Sequence, residues 1–243
     1  MNPELKKKVI ESLKDQLEIF GDYLFEKDVL SKTPTQNLIK EKTQAYSELF
    51  DAREEWEKVS SLDILNKLIC DCKKCELHKN RNKFVFGSGN PNADVMVIGE
   101  GPGAEEDIQG LPFVGRAGQL LTDILKAIKF NRDEVYIANV VKCRPPNNRT
   151  PSSKEMETCM PYLRKQISLI KPKMILCLGL TAAQGLLSRK ETMGNLRGKF
   201  FDFENAKAMV TYHPAALLRN PGWKKDCWED VKKFRKMYDS LIE

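Results

Sequence analysis

The chain has 243 residues, of which 41% are hydrophobic and 30% are charged. This composition supports a folded core and excludes global disorder. The longest strongly apolar run, 174–180, is far shorter than the ~20 residues of a membrane span. The charged N-terminus has no apolar signal region. We therefore expect a cytoplasmic protein without membrane contacts.

The net charge of +6 is unevenly distributed, because residues 1–60 carry −3 and residues 61–243 carry +9. A basic body of this kind favours a polyanionic partner, although a solvated basic surface has the same composition.

Two segments of different character divide the chain. Residues 1–58 show helical apolar spacing on either side of a break near Pro34, which predicts a helical extension, either a hairpin or two mobile helices, with an unknown partner. From residue 59 onward, short β-branched runs alternate with helix-like stretches. The strands are predicted at 93–99, 134–141, 173–179 and 208–213. The fold class is thus a three-layer α/β/α domain with a mainly parallel central sheet, over residues 59–243.

The carboxyl ends of the predicted strands place a glycine-rich turn, an amide and a histidine at one edge of the sheet. These residues lie in 99–103, 139–143, 179–181 and 213–214. Ligands of open α/β sheets bind at this edge. His213 has either a structural or a chemical role here, and Phe113, on a Pro/Gly loop, serves either packing or stacking on a base.

Seven cysteines in a reducing compartment are not expected to form disulfides. Cys72 and Cys75 form a C-x-x-C pair, and Cys143 and Cys159 could complete a tetrahedral set of sulfur ligands. Spacing alone favours zinc, then an iron–sulfur cluster, with chance clustering of buried thiols as the third alternative. Cys70 is a near neighbour that could act as a decoy ligand.

The loop 99–107 formally matches a dinucleotide fingerprint, but its acidic run would repel a pyrophosphate. An N-terminal helix turn explains the acids equally well. Alternatively, the loop has a binding function: it brings its backbone close to a planar ligand and directs carboxylates into the ligand pocket.

In combination, five motifs of this chain resemble the family-4 uracil-DNA glycosylases, the iron–sulfur type of bacteria and archaea. The motifs are Cys72-x2-Cys75, GEGPGAEEDIQGLPFVGRAGQLL (99–121), YIANVVKCRPPNNRTP (136–151), Cys143-x15-Cys159 and HPAALLR (213–219). The resemblance covers about three-quarters of the chain and leaves out 1–58. It implies a structural [4Fe–4S] cluster on the four cysteines, in place of zinc.

The resemblance also implies hydrolysis of the N-glycosidic bond of deoxyuridine in DNA, which leaves an abasic site after base flipping. Phe113 would stack on the uracil, and Asn139 would pair with its O4 and N3–H. His213 would donate to O2, where negative charge develops. Gly101 and Gly103 would line the pocket.

The expected partner is uracil-containing DNA, bound by a monomer associated with the nucleoid. Leu217 or Leu218 would wedge into the vacated base stack, and Arg219 would hold a phosphate.

The acid that orients the water is open. The best-known glycosylases of the superfamily have an aspartate where this chain has Gly101. Glu100, Glu106 and Asp107 are the candidates, with Glu106 ranked first.

Two other functions fit parts of the pattern. One is a zinc-stapled nucleic-acid-binding module without activity, and the other is a nucleotide-dependent oxidoreductase that uses the Gly99 loop.

Overall fold

A six-stranded sheet forms the centre of residues 54–243, the part of the chain that the computed structural model describes. Residues 1–53 of the predicted extension lie outside the described residues. The strands are β1 Ser88–Gly89, β2 Val95–Gly99, β3 Tyr136–Asn139, β4 Met174–Leu178, β5 Phe200–Phe203 and β6 Ala206–Thr211. Their order in the sheet is β1-β3-β2-β4-β6-β5.

The four inner strands are parallel, and each edge strand is antiparallel to its neighbour. The inner strands coincide with the four predicted runs, so the mainly parallel sheet is confirmed. The antiparallel edges were not predicted, because β1 has only two residues and the short strand β5 is mostly not buried.

Helices connect the strands and cover both faces of the sheet. They are α1 Leu62–Ile69, α2 Ala104–Gln109, α3 Arg116–Ala127, α4 Ser153–Ile170, α5 Leu180–Leu187, α6 Met193–Leu196, α7 Pro214–Arg219 and α8 Lys224–Ile242. The predicted cap of α4 is present, since Ser152 Oγ accepts from the Glu155 amide at 3.3 Å and Glu155 Oε2 accepts from the Ser152 amide at 2.7 Å. Within the described residues, no helix is long and apolar enough to cross a membrane.

Strand β2 shows why the domain has three layers. Its residues are all buried, and their side chains alternate between the two faces. Met96 and Ile98 belong to the core beneath α4 and α5, whereas Val95 and Val97 pack with α3 and α8. A strand buried on both faces is the expected centre of a parallel sheet.

The described domain begins before residue 59. A short 3₁₀ turn at Glu55–Glu57 places Trp56 in the core, edge-on to Tyr162 with ring centroids 4.8 Å apart. Lys165 of α4 donates to the Glu57 carbonyl at 2.7 Å. Residues 54–58, which the sequence assigned to the extension, therefore pack against α4.

Candidate active site

A cleft of about 390 Å³ opens at the carboxyl ends of the parallel strands. It is lined by Glu100, Gly101, Pro102, Gly103, Glu106, Phe113, Ala117, Asn139, Pro145, Asn148, Arg149, Thr150, His213, Ala215 and Arg219. The glycine-rich turn, the amide and the histidine that were expected at this edge thus share one cleft.

Asn139 ends β3 and is 2% exposed. Its Oδ1 atom is buried without a hydrogen-bond partner among the described residues. Leaving such an oxygen unpaired costs about 1–3 kcal/mol, so the position is explained best by a ligand that donates to it. Gly99, its register partner on β2, leaves the necessary space, because a Cβ there would lie 2.5 Å from this oxygen.

His213 follows β6 and caps α7. Its Nδ1 accepts from the Ala215 amide at 3.1 Å, so the proton of the neutral ring is on Nε2. The pKa of His213 is lowered to about 4, chiefly by burial and then by the charge of Arg219, while Glu106 opposes both. The ring is therefore a neutral N–H donor at pH 7.

Phe113 lies over His213 with ring centroids 5.5 Å apart and an interplanar angle of 30°. It is buried and has a φ of 53°, in the left-handed region that phenylalanine rarely adopts. The surrounding loop is fixed from two sides. Glu106 Oε1 accepts from the amides of Val114 at 2.9 Å and Gly115 at 3.1 Å, and Arg132 donates to the Pro112 carbonyl at 2.7 Å.

The three candidate acids differ in their surroundings. Asp107 is fully buried and accepts from Asn82 and Lys83, outside the cleft lining. Glu106 lines the cleft but is occupied by the loop amides and by the amide of Gly103 at 3.1 Å. Glu100 also lines the cleft, and no hydrogen bond or ion pair of its carboxylate is found among the described residues.

Gly101 leaves no room for a larger side chain at this point of the cleft wall. A Cβ there would lie 2.7 Å from Cγ2 of Val141. Together with Gly103, it brings backbone directly to the cleft wall.

Two arginines contribute to the rim of the cleft. Arg219 lines it, as does Arg149, whose guanidinium holds both carboxylate oxygens of Glu155 at 2.7 and 2.8 Å. Of the two wedge candidates, Leu217 is buried at 1% exposure and packs in the core, whereas Leu218 is 37% exposed.

The four predicted ligand cysteines form one neighbourhood of interacting thiols. Cys75 interacts electrostatically with Cys72, Cys143 with both of these, and Cys159 with Cys75 and Cys143. Burial raises the pKa of Cys159 to about 12. Cys70 instead donates to the Lys67 carbonyl at 3.5 Å.

Polar side chains support this neighbourhood. Arg81 donates to Cys143 Sγ at 3.1 Å, and the Tyr162 hydroxyl donates to Cys72 Sγ at 3.3 Å. Donors aimed at sulfur stabilise thiolate charge, as a metal centre requires. In residues 54–243, no group of three His, Cys, Asp or Glu side chains has the geometry to hold a single metal ion.

A buried lysine beside the site was not predicted from the sequence. Lys142 donates to the Asn139 carbonyl at 2.9 Å and to Gln166 Oε1 at 2.5 Å. Burial lowers its pKa to about 8. Asn148, Arg149 and Thr150 were also missed as lining residues, although they lie in the RPPNNRTP segment, whose prolines and asparagines indicated a loop.

Comparison with known proteins agrees with this geometry. The uracil DNA glycosylase superfamily profile matches residues 86–232. A type-4 uracil-DNA glycosylase of Pyrobaculum aerophilum is 47% identical over 181 residues, which cover 71% of this chain and 92% of the relative. Type-4 enzymes of Archaeoglobus fulgidus and Thermotoga maritima are each 43% identical, covering 72% and 71% of this chain and 92% of each relative.

The α/β sheet, the cleft at its carboxyl edge and these matches together place the chain in the class of hydrolytic DNA N-glycosylases. The chain belongs to the uracil-DNA glycosylase superfamily, whose members excise uracil from DNA. The resemblance predicted from the motifs is thereby confirmed, and the oxidoreductase alternative loses its support.

Proposed function

We propose that this protein removes uracil from DNA as the type-4 enzymes do, by hydrolysing the N-glycosidic bond of a flipped deoxyuridine. The unpartnered Oδ1 of Asn139 carries the proposal, because a buried acceptor at a cleft wall calls for a donor on the ligand. Uracil N3–H is such a donor.

Base selection then rests on one amide. Oδ1 of Asn139 accepts from N3–H, and its Nδ2 donates to O4. Cytosine has no proton at N3 and carries an amino group at position 4. The acceptor Oδ1 would then face the lone pair of N3, and the donor Nδ2 would face the amino group. A missing partner of this kind discriminates more strongly than a change of size.

His213 and Phe113 hold the departing base. Nε2–H of His213 donates to O2, where negative charge accumulates as the bond breaks, and a neutral ring suffices because its position is fixed by the Ala215 amide. Phe113 supplies an apolar face for the uracil ring. Glu106 keeps Phe113 in place by accepting from the next two amides of the loop.

Glu100 is our candidate for orienting the attacking water, ahead of Glu106. It lines the cleft, and no hydrogen bond or ion pair occupies its carboxylate within residues 54–243. There it can accept from water and offset the positive charge that forms on the sugar. Asp107 supports the fold through Asn82 and Lys83.

DNA contacts follow from the rim. Leu218 is the exposed residue suited to fill the space left by the flipped base, and Arg219 is placed to hold a phosphate. The same function leads us to propose action as a monomer in the cytoplasm, at the nucleoid, where uracil-containing DNA is found.

We assign a [4Fe–4S] cluster to Cys72, Cys75, Cys143 and Cys159. The donors that Arg81 and Tyr162 direct at Cys143 and Cys72 support a centre held by these cysteines. The resemblance to the family-4 enzymes favours an iron–sulfur cluster over zinc as its occupant. When bound, the cluster would hold together the segment after α1, the segment after β3 and helix α4.

The test is excision from an oligonucleotide with one uracil, read as alkali-labile breaks, beside a thymine-containing oligonucleotide. We expect cleavage of the uracil strand only. Asn139→Ala and His213→Ala should each lower the single-turnover rate by about 10²-fold or more. Asn92→Ala, an exposed asparagine at the opposite end of β2, is the control. Full activity in both site variants would refute the assignment.

A further inference from the structure

Residues 218–225 form an exposed strip beside the cleft, and every residue in it is exposed. The strip contains two large apolar side chains, Leu218 at 37% and Trp223 at 41% exposure. Arg219, Lys224 and Lys225 give it positive charge. It is continuous with the cleft, because Arg219 lines the cleft.

Trp223 is held in a defined orientation. Its ring stacks on Tyr212 with centroids 4.8 Å apart and an interplanar angle of 18°. Its backbone amide donates to the Asn220 carbonyl at 3.1 Å. Tyr212 is in turn contacted by the Arg197 guanidinium, 5.4 Å from its ring centroid. Because the stack covers part of the indole and 41% of Trp223 stays exposed, the indole presents a fixed apolar surface to solvent.

The charges near Trp223 favour a polyanion. Residues 218–225 themselves contain three basic residues and no acid. The nearest acid in the sequence, Asp226, lies 3.9 Å from Arg197, a guanidinium that it shares with Asp230. An ordered aromatic ring flanked by cations is the arrangement with which proteins bind single-stranded nucleic acid, since every base has an apolar face.

We propose that Trp223 is a second stacking site for DNA, which binds an unpaired base next to the flipped uracil while Lys224 and Lys225 contact the backbone. The inference rests on the proposed function for its location and extends the DNA interface beyond the wedge and the cleft. It implies that DNA with unpaired bases around the lesion gains more affinity from this strip than a fully paired duplex does.

The chain offers a matched control in Trp228. It is 42% exposed, close to the value for Trp223, but lies in α8, where the Lys232 ammonium is 5.5 Å from its ring. It has no stacking contact with Tyr212 and lies outside the strip. A general effect of removing a surface tryptophan would therefore be equal in Trp223→Ala and Trp228→Ala.

The experiment measures Kd of the full-length protein for single-stranded and duplex oligonucleotides that carry a tetrahydrofuran abasic-site analogue. For Trp223→Ala we expect about a 10-fold higher Kd on the single strand, a smaller increase on the duplex and recovery to within about twofold in Trp223→Phe. The slope of log Kd against log salt concentration should stay unchanged in Trp223→Ala. The double variant Lys224→Gln with Lys225→Gln should instead lower the magnitude of this slope by about 1 to 2.

A tryptophan signal and a rate measurement complete the test. In the Trp228→Phe background, DNA should quench the fluorescence of Trp223. The Trp223→Ala change should raise Kd and leave the single-turnover rate at saturating DNA unchanged.

Equal Kd values for wild type and Trp223→Ala would overturn the proposal. A lower saturating rate at unchanged Kd would also overturn it, because Trp223 would then act through Tyr212 on His213. A salt slope unaffected by the lysine changes would remove the strip from the interface. Since these binding measurements need no cleavage, a wild-type protein that leaves uracil in place refutes the proposed function alone.

Discussion

Gly99 and Asn139 are register partners on adjacent parallel strands, and a Cβ atom at Gly99 would lie 2.5 Å from Oδ1 of Asn139. It would also lie 2.6 Å from Cζ of Phe113. We predict that Gly99→Ala lowers uracil excision by about 10²-fold or more, because the displaced groups are those proposed to hold the base. Gly194→Ala, where nothing lies within 4 Å of the added Cβ, is the control. Single-turnover rates of the two variants decide the matter, and equal rates would contradict the prediction.

The low pKa of His213 predicts a dependence of stability on pH. The pKa is about 4 in the folded protein and ~6.5 in an unfolded chain. Between these values the unfolded chain binds more protons, so the free energy of unfolding falls as the pH decreases from 6.5 to 4. The full contribution is about 3 kcal/mol. His213→Gln should show a shallower acid loss of the thermal midpoint, and parallel curves for the two proteins would disprove the linkage.

The roles of Glu100 and Glu106 should be distinguishable by changing each residue to glutamine. Glu106→Gln places an amide group among the backbone donors of Gly103, Val114 and Gly115, so it should cost about 2 kcal/mol of stability as well as activity. Glu100→Gln should lower the single-turnover rate by about 10²-fold with an unchanged thermal midpoint. A fully active Glu100→Gln enzyme would return the role of orienting water to Glu106.

The cysteine neighbourhood predicts coupled loss of the cluster and of the fold. Cys143→Ser should give a colourless and poorly soluble protein, since metal binding and folding are linked. Cys70→Ser, an adjacent cysteine that bonds the Lys67 carbonyl, should keep the iron content and visible absorbance of the wild type. Iron analysis and absorbance spectra check both, and a soluble, active Cys143→Ser protein would exclude the assigned ligand set.

Trp56 tests where the folded domain begins. Trp56→Ala in the full chain should lower the free energy of unfolding by about 3 kcal/mol, because the ring is buried against Tyr162. Trp228→Ala, at an exposed position, should change it by less than about 0.5 kcal/mol. Denaturant unfolding measures the difference, and equal midpoints would place Trp56 outside the cooperative unit.

The sequence was most informative where local pattern and tertiary structure agree. The parallel strands are buried apolar runs with turn residues at their ends, so the positions of Asn139 and His213 at the sheet edge could be predicted from β3 and β6. Edge strand β1, with two residues, carries no such pattern, since its pairing with Ile137 and Tyr136 depends on the rest of the sheet.

Individual roles within the loop 99–107 could not be read from the sequence. Glu106 and Asp107 are neighbours in the sequence and look equivalent there. Their roles differ only because α2 turns Asp107 towards Asn82 and Glu106 towards the amides of the Phe113 loop. In the same way, Leu217 and Leu218 are equivalent in a list of apolar residues, and the helical phase of α7 decides which one solvent reaches.

The buried Lys142 connects the interior of the protein to the residue that we propose selects the base. It joins the Asn139 carbonyl to Gln166, which also donates to the Phe86 carbonyl at 3.0 Å. Under the proposed role of Asn139, accuracy in choosing the base depends partly on residues that lie outside the cleft lining. A substitution at Gln166 would then change which bases are removed while every side chain of the cleft stays the same.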